Sequence, residues 1–394
     1  MAGQFNLKQT IKQNIMLIAL LGVMLIFEAL ISSMGRGSLF SPGNITNLII
    51  QNAYVVVLAT GMLLCILTGG NIDLSVGSVV CLVGAVAGTL IVTMKGNIYL
   101  AIIASLAAGG AIGAFQGFWI AYVRIPPFIV TLAGMLLWRG VAHIVLNGLT
   151  LSSFPKKYLA YFTSFVPAAR DKPTLVFFVT MAIGGVICAA FIGGQVAGRI
   201  KKIKKNYETS HFPAWIAKLV IIAAVILALS FLLGKNKGIP MMLIISGAVV
   251  LAYGYFTAKT VPGRYLYAIG GNEKAAKMSG VNTSRMLFFA YANMGFLAGL
   301  TALMCVARFD SAAPSAGNNY ELDAIASCFI GGASAYGGTG TVGGAVIGAI
   351  FMGVLNQGMS IVGLDANYQR AVKGAVLLLF VVIDVVSKNK KKLG

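Results

Sequence analysis

A succession of apolar tracts, each about as long as a membrane is thick, constrains this chain more than any other feature. A bilayer core takes about 20 apolar residues as a helix, and a helix satisfies its own backbone hydrogen bonds there. The sequence predicts ten or eleven spans, and a shorter apolar piece at 322–334 predicts a re-entrant or partial helix. The expected spans are 15–33, 50–68, 74–94, 98–122, 128–146, 174–193, 215–234, 240–258, 286–306, 341–360 and 370–386.

The composition is typical of a chain embedded in a lipid bilayer. Of its 394 residues 58% are hydrophobic and only 10% are charged, against roughly 25% charged residues in a soluble domain. Its 48 glycines follow no collagen period and are typical of closely packed membrane helices. No polar stretch is long enough for a separate soluble domain. We therefore expect an all-α integral membrane protein with a single transmembrane domain over 1–394.

The net charge of +20 follows membrane topology and does not indicate nucleic-acid binding. With the N-terminus inside, the cytoplasmic segments collect 18 of the 30 basic residues and the opposite side collects 11, the direction that the positive-inside rule requires. Both termini are then cytoplasmic. The loops 147–173 and 308–323 fall outside. The cytoplasmic segments are 1–14, the turn at Arg124, 199–218, 259–285 and the C-terminal tail.

Residues that carry enzyme chemistry are scarce. The five cysteines lie in or at the ends of apolar tracts without metal-ligand spacing, and the chain has two histidines. No phosphate-binding loop, zinc-protease motif or hydrolase elbow is present in the sequence. We expect no metal, no cofactor and no catalytic activity of the chain's own.

One internal resemblance bears on the architecture. The stretch "ILTGGNIDLSVGSVVCLVGAVAG" (66–88) aligns with "CFIGGASAYGGTGTVGGAVIGAI" (328–350), with Gly-Gly on Gly-Gly and a glycine-rich helix after each. Transporters built from two related halves carry broken helices at corresponding positions. The alternative is a chance alignment of glycine-rich membrane helices.

The segment "VPGRYLYAIGGNEKAAKMSGVNTSR" (261–285) predicts a short capped helix on the cytoplasmic side. Asn272 suits the N-cap, Glu273 suits the positive helix start, and Gly280 can close the helix in the left-handed conformation. Ala275 and Ala276 give the helix a smooth face. Such a rigid element favours docking of a partner, and an ordinary connecting loop is the alternative.

Polar groups inside or beside the spans are candidates for the translocation pathway or for holding broken helices. A carboxylate at membrane depth is expensive and needs a partner, which makes Asp73 in "GGNIDLSVGS" the first candidate. Arg139 lies four residues before His143 on one helix face. It is expected to meet backbone carbonyls or a carboxylate, and Asp73, Glu321 and Asp323 are possible partners. The candidates are Asp73, Ser75, Ser78, Asn293 and Arg139. Each of them could instead serve only helix packing.

Five stretches together resemble the membrane permease of bacterial monosaccharide ATP-binding-cassette (ABC) importers, the ribose, xylose and galactoside group. They are "GGNIDLSVGS", "PPFIVTLAGMLLWRG", "YAIGGNEKAAKMSGV", "ELDAIASCFIGGASAYGGTGTVGG" and "QRAVKGAVLLLFVVID". The chain's length and its long 147–173 loop are more similar to the xylose and multiple-monosaccharide permeases. Gln116 departs from the family pattern, which usually has Asn there, and this puts only a local helix contact in doubt.

The resemblance implies a place in the cytoplasmic (inner) membrane of a bacterium, and it implies partners and roles. Two permease chains would form a pathway, a separate cytoplasmic subunit would bind and hydrolyse ATP, and an external sugar-binding protein would deliver the sugar. The family's coupling helix, which seats in a groove of the ATPase, falls on Gly271, Asn272, Glu273, Ala275, Ala276 and Gly280.

Two other functions remain open, and a third is disfavoured by the sequence. An ABC permease for another small solute, such as a nucleoside or an autoinducer, would share the same motifs. A secondary sugar transporter driven by an ion gradient would use acidic residues in or beside spans, Asp73 and Glu28 among them, as ion sites. An intramembrane enzyme lacks a paired-carboxylate or histidine-rich constellation.

Overall fold

The computed structural model describes residues 15–169, 171–205, 207 and 212–392. The N-terminal segment 1–14, predicted to be cytoplasmic, lies outside the described residues. The helices are α1 (Ile15–Ser33), α2 (Pro42–Leu67), α3 (Val76–Gly88, continued by a π-helical turn Thr89–Thr93), α4 (Ile98–Ala121), α5 (Pro127–Leu146), α6 (Lys156–Thr163), α7 (Pro173–Lys204), α8 (Phe212–Gly234), α9 (Met241–Lys259), α10 (Val261–Gly271), α11 (Glu273–Met278), α12 (Thr283–Phe309), α13 (Tyr320–Ile330), α14 (Val342–Val362) and α15 (Ala366–Lys392).

Ten helices in the described part of the chain are long and apolar enough to cross a membrane: α1 to α5, α7 to α9, α12 and α14. Helix α15 covers the last predicted span. The all-α membrane fold is therefore confirmed. Two predicted boundaries were wrong: α2 begins at Pro42, and α7 runs on to Lys204. Hydropathy marks only the apolar part of a helix, whereas Pro at a first turn and Lys or Arg in a last turn are both compatible with helix.

The chain folds as two compact units, and the prediction of one permease domain is not decided by this division. The smaller unit comprises Phe40–Ile50 and Ser164–Ile244. Its helices α7 and α8 pack where Gly184 faces the Ser230 side chain. A two-residue ladder pairs strand β2 (Phe165–Val166) with β3 (Ile239–Pro240).

The larger unit comprises Met1–Leu39, Gln51–Thr163 and Ile245–Gly394. Its helices α4 and α12 approach through glycines spaced four apart, Gly109 and Gly113 on one helix and Gly295 and Gly299 on the other. A Cβ on Gly109 would lie 3.0 Å from the Cα of Gly299. Backbones can come this close only where side chains are absent. These glycines thus set the packing of two buried spans.

The parts of the predicted external loops that belong to the larger unit, 147–163 and 308–323, are folded. Strand β1 (Leu151–Ser152) pairs with β4 (Ser311–Ala312), and α6 is anchored where the Tyr158 hydroxyl donates to the Leu303 carbonyl at 2.9 Å. Residues 313–319 then run without helix along α3, where Gly317 meets the backbone of Gly77.

Candidate coupling and translocation sites

The segment predicted to couple with a partner folds as a capped helix. The Asn272 side chain accepts from the Ala275 N–H at 3.0 Å, helix α11 spans Glu273–Met278, and Gly280 ends it with φ +85°. The local geometry expected from the sequence is therefore present. The residues' role in docking an ATPase stays a prediction.

An ion pair fastens this short helix to the turn between α4 and α5. Arg124 donates to the Glu273 carboxylate at 2.7 Å and to the Ser284 and Thr283 hydroxyls at 2.9 and 3.2 Å. The hydrogen bond from Arg124 lowers the pKa of Glu273 below its usual range. The charged pair therefore persists until the pH falls through that lowered pKa. Sequence reasoning placed Arg124 in a cytoplasmic turn and missed this contact.

The outer face of α11 is left open. Ala276 points inward and is buried, whereas Met278 is 89% exposed, and Gly271 and Ala275 are also exposed. This surface suits the insertion of the helix into a groove.

The two glycine-rich breaks meet beside the end of α10. The first break, residues 68–75, separates α2 from α3, and the second break, residues 331–341, separates α13 from α14. Gly338 N–H donates to the Leu67 carbonyl at 3.1 Å, and Gly70 abuts the Ala335 carbonyl. Gly270, directly before the α11 segment, touches both Leu67 and Gly338. A displacement of α10 would therefore reach both breaks.

Asp73 lies in the first break and is engaged by its own chain. Its Oδ1 accepts from Ser75 N–H at 2.9 Å and from the Ser75 hydroxyl at 2.6 Å. The Gln116 amide of α4 donates to the same hydroxyl at 2.9 Å. All three side chains are nearly inaccessible, with Asp73 at 3%. These contacts fix the start of α3 and satisfy a buried carboxylate that has no cation beside it. The local helix contact of Gln116, which the departure from the family pattern put in doubt, is present.

Arg139 is not the partner of Asp73, contrary to one of the pairings considered from the sequence. Its Nη1 donates to the carbonyls of Ala316 at 2.5 Å and Pro314 at 3.3 Å. The side chain thereby binds the irregular segment 313–319. Carbonyl acceptors were the other possibility that the sequence left open.

The remaining pathway candidates are separate from this group. The Asn293 carbonyl oxygen accepts from the Tyr253 hydroxyl, which joins α12 to α9. Ser78 is buried, and its hydroxyl has no partner among the described residues. Glu28 in α1 accepts from the Leu39 N–H at 2.8 Å. The role of all these residues in a translocation pathway stays a prediction.

A buried ion pair was missed by the sequence. Lys373 of α15 lies 2.9 Å from Asp323 Oδ1, and the Tyr54 hydroxyl of α2 donates to Asp323 Oδ2 at 2.5 Å. Asp323 had been considered only as a partner for Arg139. Its true neighbours are distant in sequence, and no local spacing pattern could indicate them.

Apolar membrane-length helices and two helix breaks that meet are features found in membrane transport proteins. The chain belongs to the family described as "Branched-chain amino acid transport system / permease component", which matches residues 44–381. It is a multi-pass membrane protein. No solved structure matches it.

Curated relatives align over nearly the whole chain. The xylose transport system permease protein XylH of Escherichia coli (strain K12) is 36% identical over 376 residues, 95% of this chain and 92% of that protein. XylH of Haemophilus influenzae is 36% identical over 390 residues, 99% of this chain and 100% of that protein. The ribose import permease protein RbsC of Escherichia coli (strain K12) is 35% identical over 369 residues, 94% of this chain and 92% of that protein.

Proposed function

We propose that the chain is the membrane permease subunit of an ABC importer that moves a monosaccharide, of the pentose type, into the cell. The observation that carries the proposal is the likeness along almost the full chain to xylose and ribose permeases. The chain supplies the pathway and no chemistry, and ATP hydrolysis belongs to a separate subunit.

The proposal includes an orientation. The basic residues of 199–218, 259–285 and the C-terminal tail favour the cytoplasmic side for these segments and for both termini. Helix α11 then faces the ATP-binding subunit. The loops 147–173 and 308–323 face an external sugar-binding protein, and a second copy of the chain completes the pathway.

Mechanical coupling would pass through contacts described above. ATP-driven movement at α11 acts on α10, to which the Asn272 cap joins it. Gly270 at the end of α10 lies against both helix breaks. Small shifts there change the packing of α3 and α14, because closely packed elements switch between discrete arrangements. The pathway itself needs only moderate, multi-site contacts, so that the sugar can leave.

Uptake into proteoliposomes tests the proposal. Vesicles holding the permease and the ATPase subunit encoded beside it, supplied with its binding protein, should accumulate radiolabelled D-xylose or D-ribose when ATP is inside. A protonophore should leave that uptake unchanged. Uptake that is abolished by the protonophore and independent of ATP would establish an ion-coupled transporter instead. Accumulation of neither sugar would refute the sugar assignment.

The coupling role of α11 has its own test. Glu273→Lys puts two cations where the ion pair with Arg124 now stands, and Gly280→Val puts a β-branched residue at φ +85°. Both variants should remain in the membrane, while sugar-stimulated ATP hydrolysis of the assembled complex falls to the basal rate. Lys259→Gln, a charge change at the end of α9, is the control. Normal stimulation in both variants would show that coupling occurs elsewhere.

A further inference from the structure

Arg124, in the turn between α4 and α5, has a backbone conformation that side chains seldom adopt. Its φ is +66°, in the left-handed region that glycine enters without steric cost. Residues held in such a conformation cluster at functional sites, where the surrounding structure maintains the strain. An arginine at a position that suits glycine therefore points to a use for its side chain.

The Arg124 guanidinium joins the turn to two other elements. It donates to Glu273, the first residue of α11, at 2.7 Å, and to the hydroxyls of Thr283 and Ser284 at the start of α12. Both side chains of the ion pair are 44% exposed. An exposed ion pair adds little to the free energy of unfolding. The contact is thus better suited to holding α11 in place than to stabilising the fold.

The connection from Arg124 to α5 is stiff. Pro126 precedes α5 and Pro127 is its first residue, and a proline ring fixes φ. Only Ile125 separates Arg124 from these prolines, and its N–H donates to the Trp119 carbonyl of α4 at 3.1 Å. A displacement of α11 that pulls on the guanidinium would therefore move the start of α5.

Two turns further along, α5 lies against the residues that support the first break. A Cβ on Gly134 would lie 2.8 Å from Nε2 of Gln116, the amide that donates to the Ser75 hydroxyl. Beyond Gly134, Arg139 binds segment 313–319, which runs along α3. Helix α5 thus contacts the supports of α3 at two levels.

We propose that Arg124 is a positioning residue of the transport cycle: it holds α11 to α5, and α5 passes the movement of α11 to the start of α3. The inference rests on the proposed sugar-import function and adds a second route beside α10. Helix α10 meets the first break through backbone contacts of Gly270, whereas α5 reaches it through side chains. Two points of attachment prevent α11 from pivoting about either one when the ATP-binding subunit moves it.

Arg124→Gly separates positioning from folding. The change removes the guanidinium and relieves the backbone strain, so the melting temperature in detergent should equal or exceed that of the wild type. The number of sugar molecules moved per ATP hydrolysed by the reconstituted complex should fall about fivefold or more. An unchanged ratio overturns the proposal. A lower ratio with a lower melting temperature also overturns it, because Arg124 would then serve the fold.

Lys95→Gly is the matched control. It makes the same exchange of a cation for glycine at φ +51°, in the exposed turn before α4. The ratio of sugar moved to ATP hydrolysed should stay at the wild-type value. A fall equal to that of Arg124→Gly would show that any glycine in a turn uncouples the permease, and the proposal would be wrong.

Exchanging the charges tests the pair directly. Glu273→Arg alone sets two cations together and should lower the ratio at least as much as Arg124→Gly does. Adding Arg124→Glu restores an ion pair, and the Thr283 and Ser284 hydroxyls can donate to the new carboxylate. The double variant should recover most of the wild-type ratio. No recovery would mean that Glu273 acts on the partner directly, without Arg124.

A double-mutant cycle tests the route through α5. Gln116→Leu removes the amide beside Gly134 and should itself lower the ratio. If both changes act along one route, adding Arg124→Gly should lower the ratio little further, whereas the fold-changes of independent sites multiply. Multiplied effects, or no effect of Gln116→Leu alone, refute the route.

Failure of this inference is distinguishable from failure of the proposed function. If the wild-type complex moves neither D-xylose nor D-ribose, the proposed function fails and the inference fails with it. Sugar transport by the wild type, together with an unaltered ratio in Arg124→Gly, refutes the inference alone.

Discussion

The two helix breaks of the larger unit satisfy their unpaired backbone groups in different ways. Each interrupts a helix beside the other, so each must satisfy backbone groups that no helix pairs. The first break uses a carboxylate and a hydroxyl, Asp73 and Ser75, together with the Gln116 amide. The second break pairs mainly with backbone, as in the bond from Ser334 N–H to the Thr339 carbonyl at 3.0 Å.

The difference explains why only one half of the apparent repeat carries an acid. A chain that folds back on itself, as 331–341 does, brings its own carbonyls to its N–H groups. In the 68–75 segment the Gly70 N–H also bonds to a backbone carbonyl, that of Ile66 at 2.7 Å, but the Ser75 N–H takes a side-chain acceptor, Asp73. A buried carboxylate therefore need not mark a substrate site. Whether the two halves are related stays a prediction.

Breaking the contact between the breaks should have the largest effect. Gly70→Ala would place a Cβ against the Ala335 carbonyl at a residue with φ +76°. We expect a loss of about 3 kcal/mol or more, seen as a much lower melting temperature in detergent and lost uptake. Gly140→Ala, where a Cβ meets nothing within 4 Å, is the control. Equal melting of the two variants would contradict this contact.

Removing the Asp73 carboxylate should lower the free energy of unfolding by less than Gly70→Ala does. Asp73→Ala leaves the Ser75 N–H and hydroxyl without their acceptor, an expected loss of about 2–3 kcal/mol. Asp73→Asn keeps an oxygen at the same place and should lose about half of that in thermal unfolding. If Asp73 braces the break, the Asn variant should also transport sugar at close to the wild-type rate. Stable protein with abolished transport would instead indicate that Asp73 contacts the sugar.

The Gln116 amide on α4 should contribute less to the free energy of unfolding than the Asp73 carboxylate does. Gln116→Leu removes the donor to the Ser75 hydroxyl and should destabilise the permease by about 1–2 kcal/mol. Gln195→Leu, an exposed amide on α7, provides the comparison for adding a leucine. An unchanged melting temperature for Gln116→Leu would show that the first break does not depend on α4.

The smallest effect belongs to the second break. Thr341 accepts from Gly344 N–H at 3.0 Å and caps α14. Thr341→Ala should cost about 1 kcal/mol, and Thr341→Ser should cost a few tenths, measured by the same thermal unfolding. A loss larger than that of Asp73→Ala would reverse the comparison, because the second break would then depend on side chains more than the first.

Local features of the site were predictable because they depend on neighbouring residues. The cap at Asn272 and the left-handed closure at Gly280 use positions within eight residues of one another. The partners of Arg139 and Asp323 were not predictable. Arg139 reaches carbonyls 175 and 177 residues away, and Lys373 lies 50 residues from Asp323. Backbone acceptors carry no residue-type signal at all.

The sequence by itself determined the membrane class, the number of spans to within one, the capped helix at 273–278 and the likeness to sugar permeases, since hydropathy, capping and motif order are properties of short stretches. Only the tertiary structure decided that the two breaks meet at Gly70 and Gly338, that Asp73 is satisfied by its own chain, and that Arg124 pairs with Glu273. Those facts depend on which helices pack together. In a chain whose spans are almost uniformly apolar, few sequence signals distinguish one packing neighbour from another.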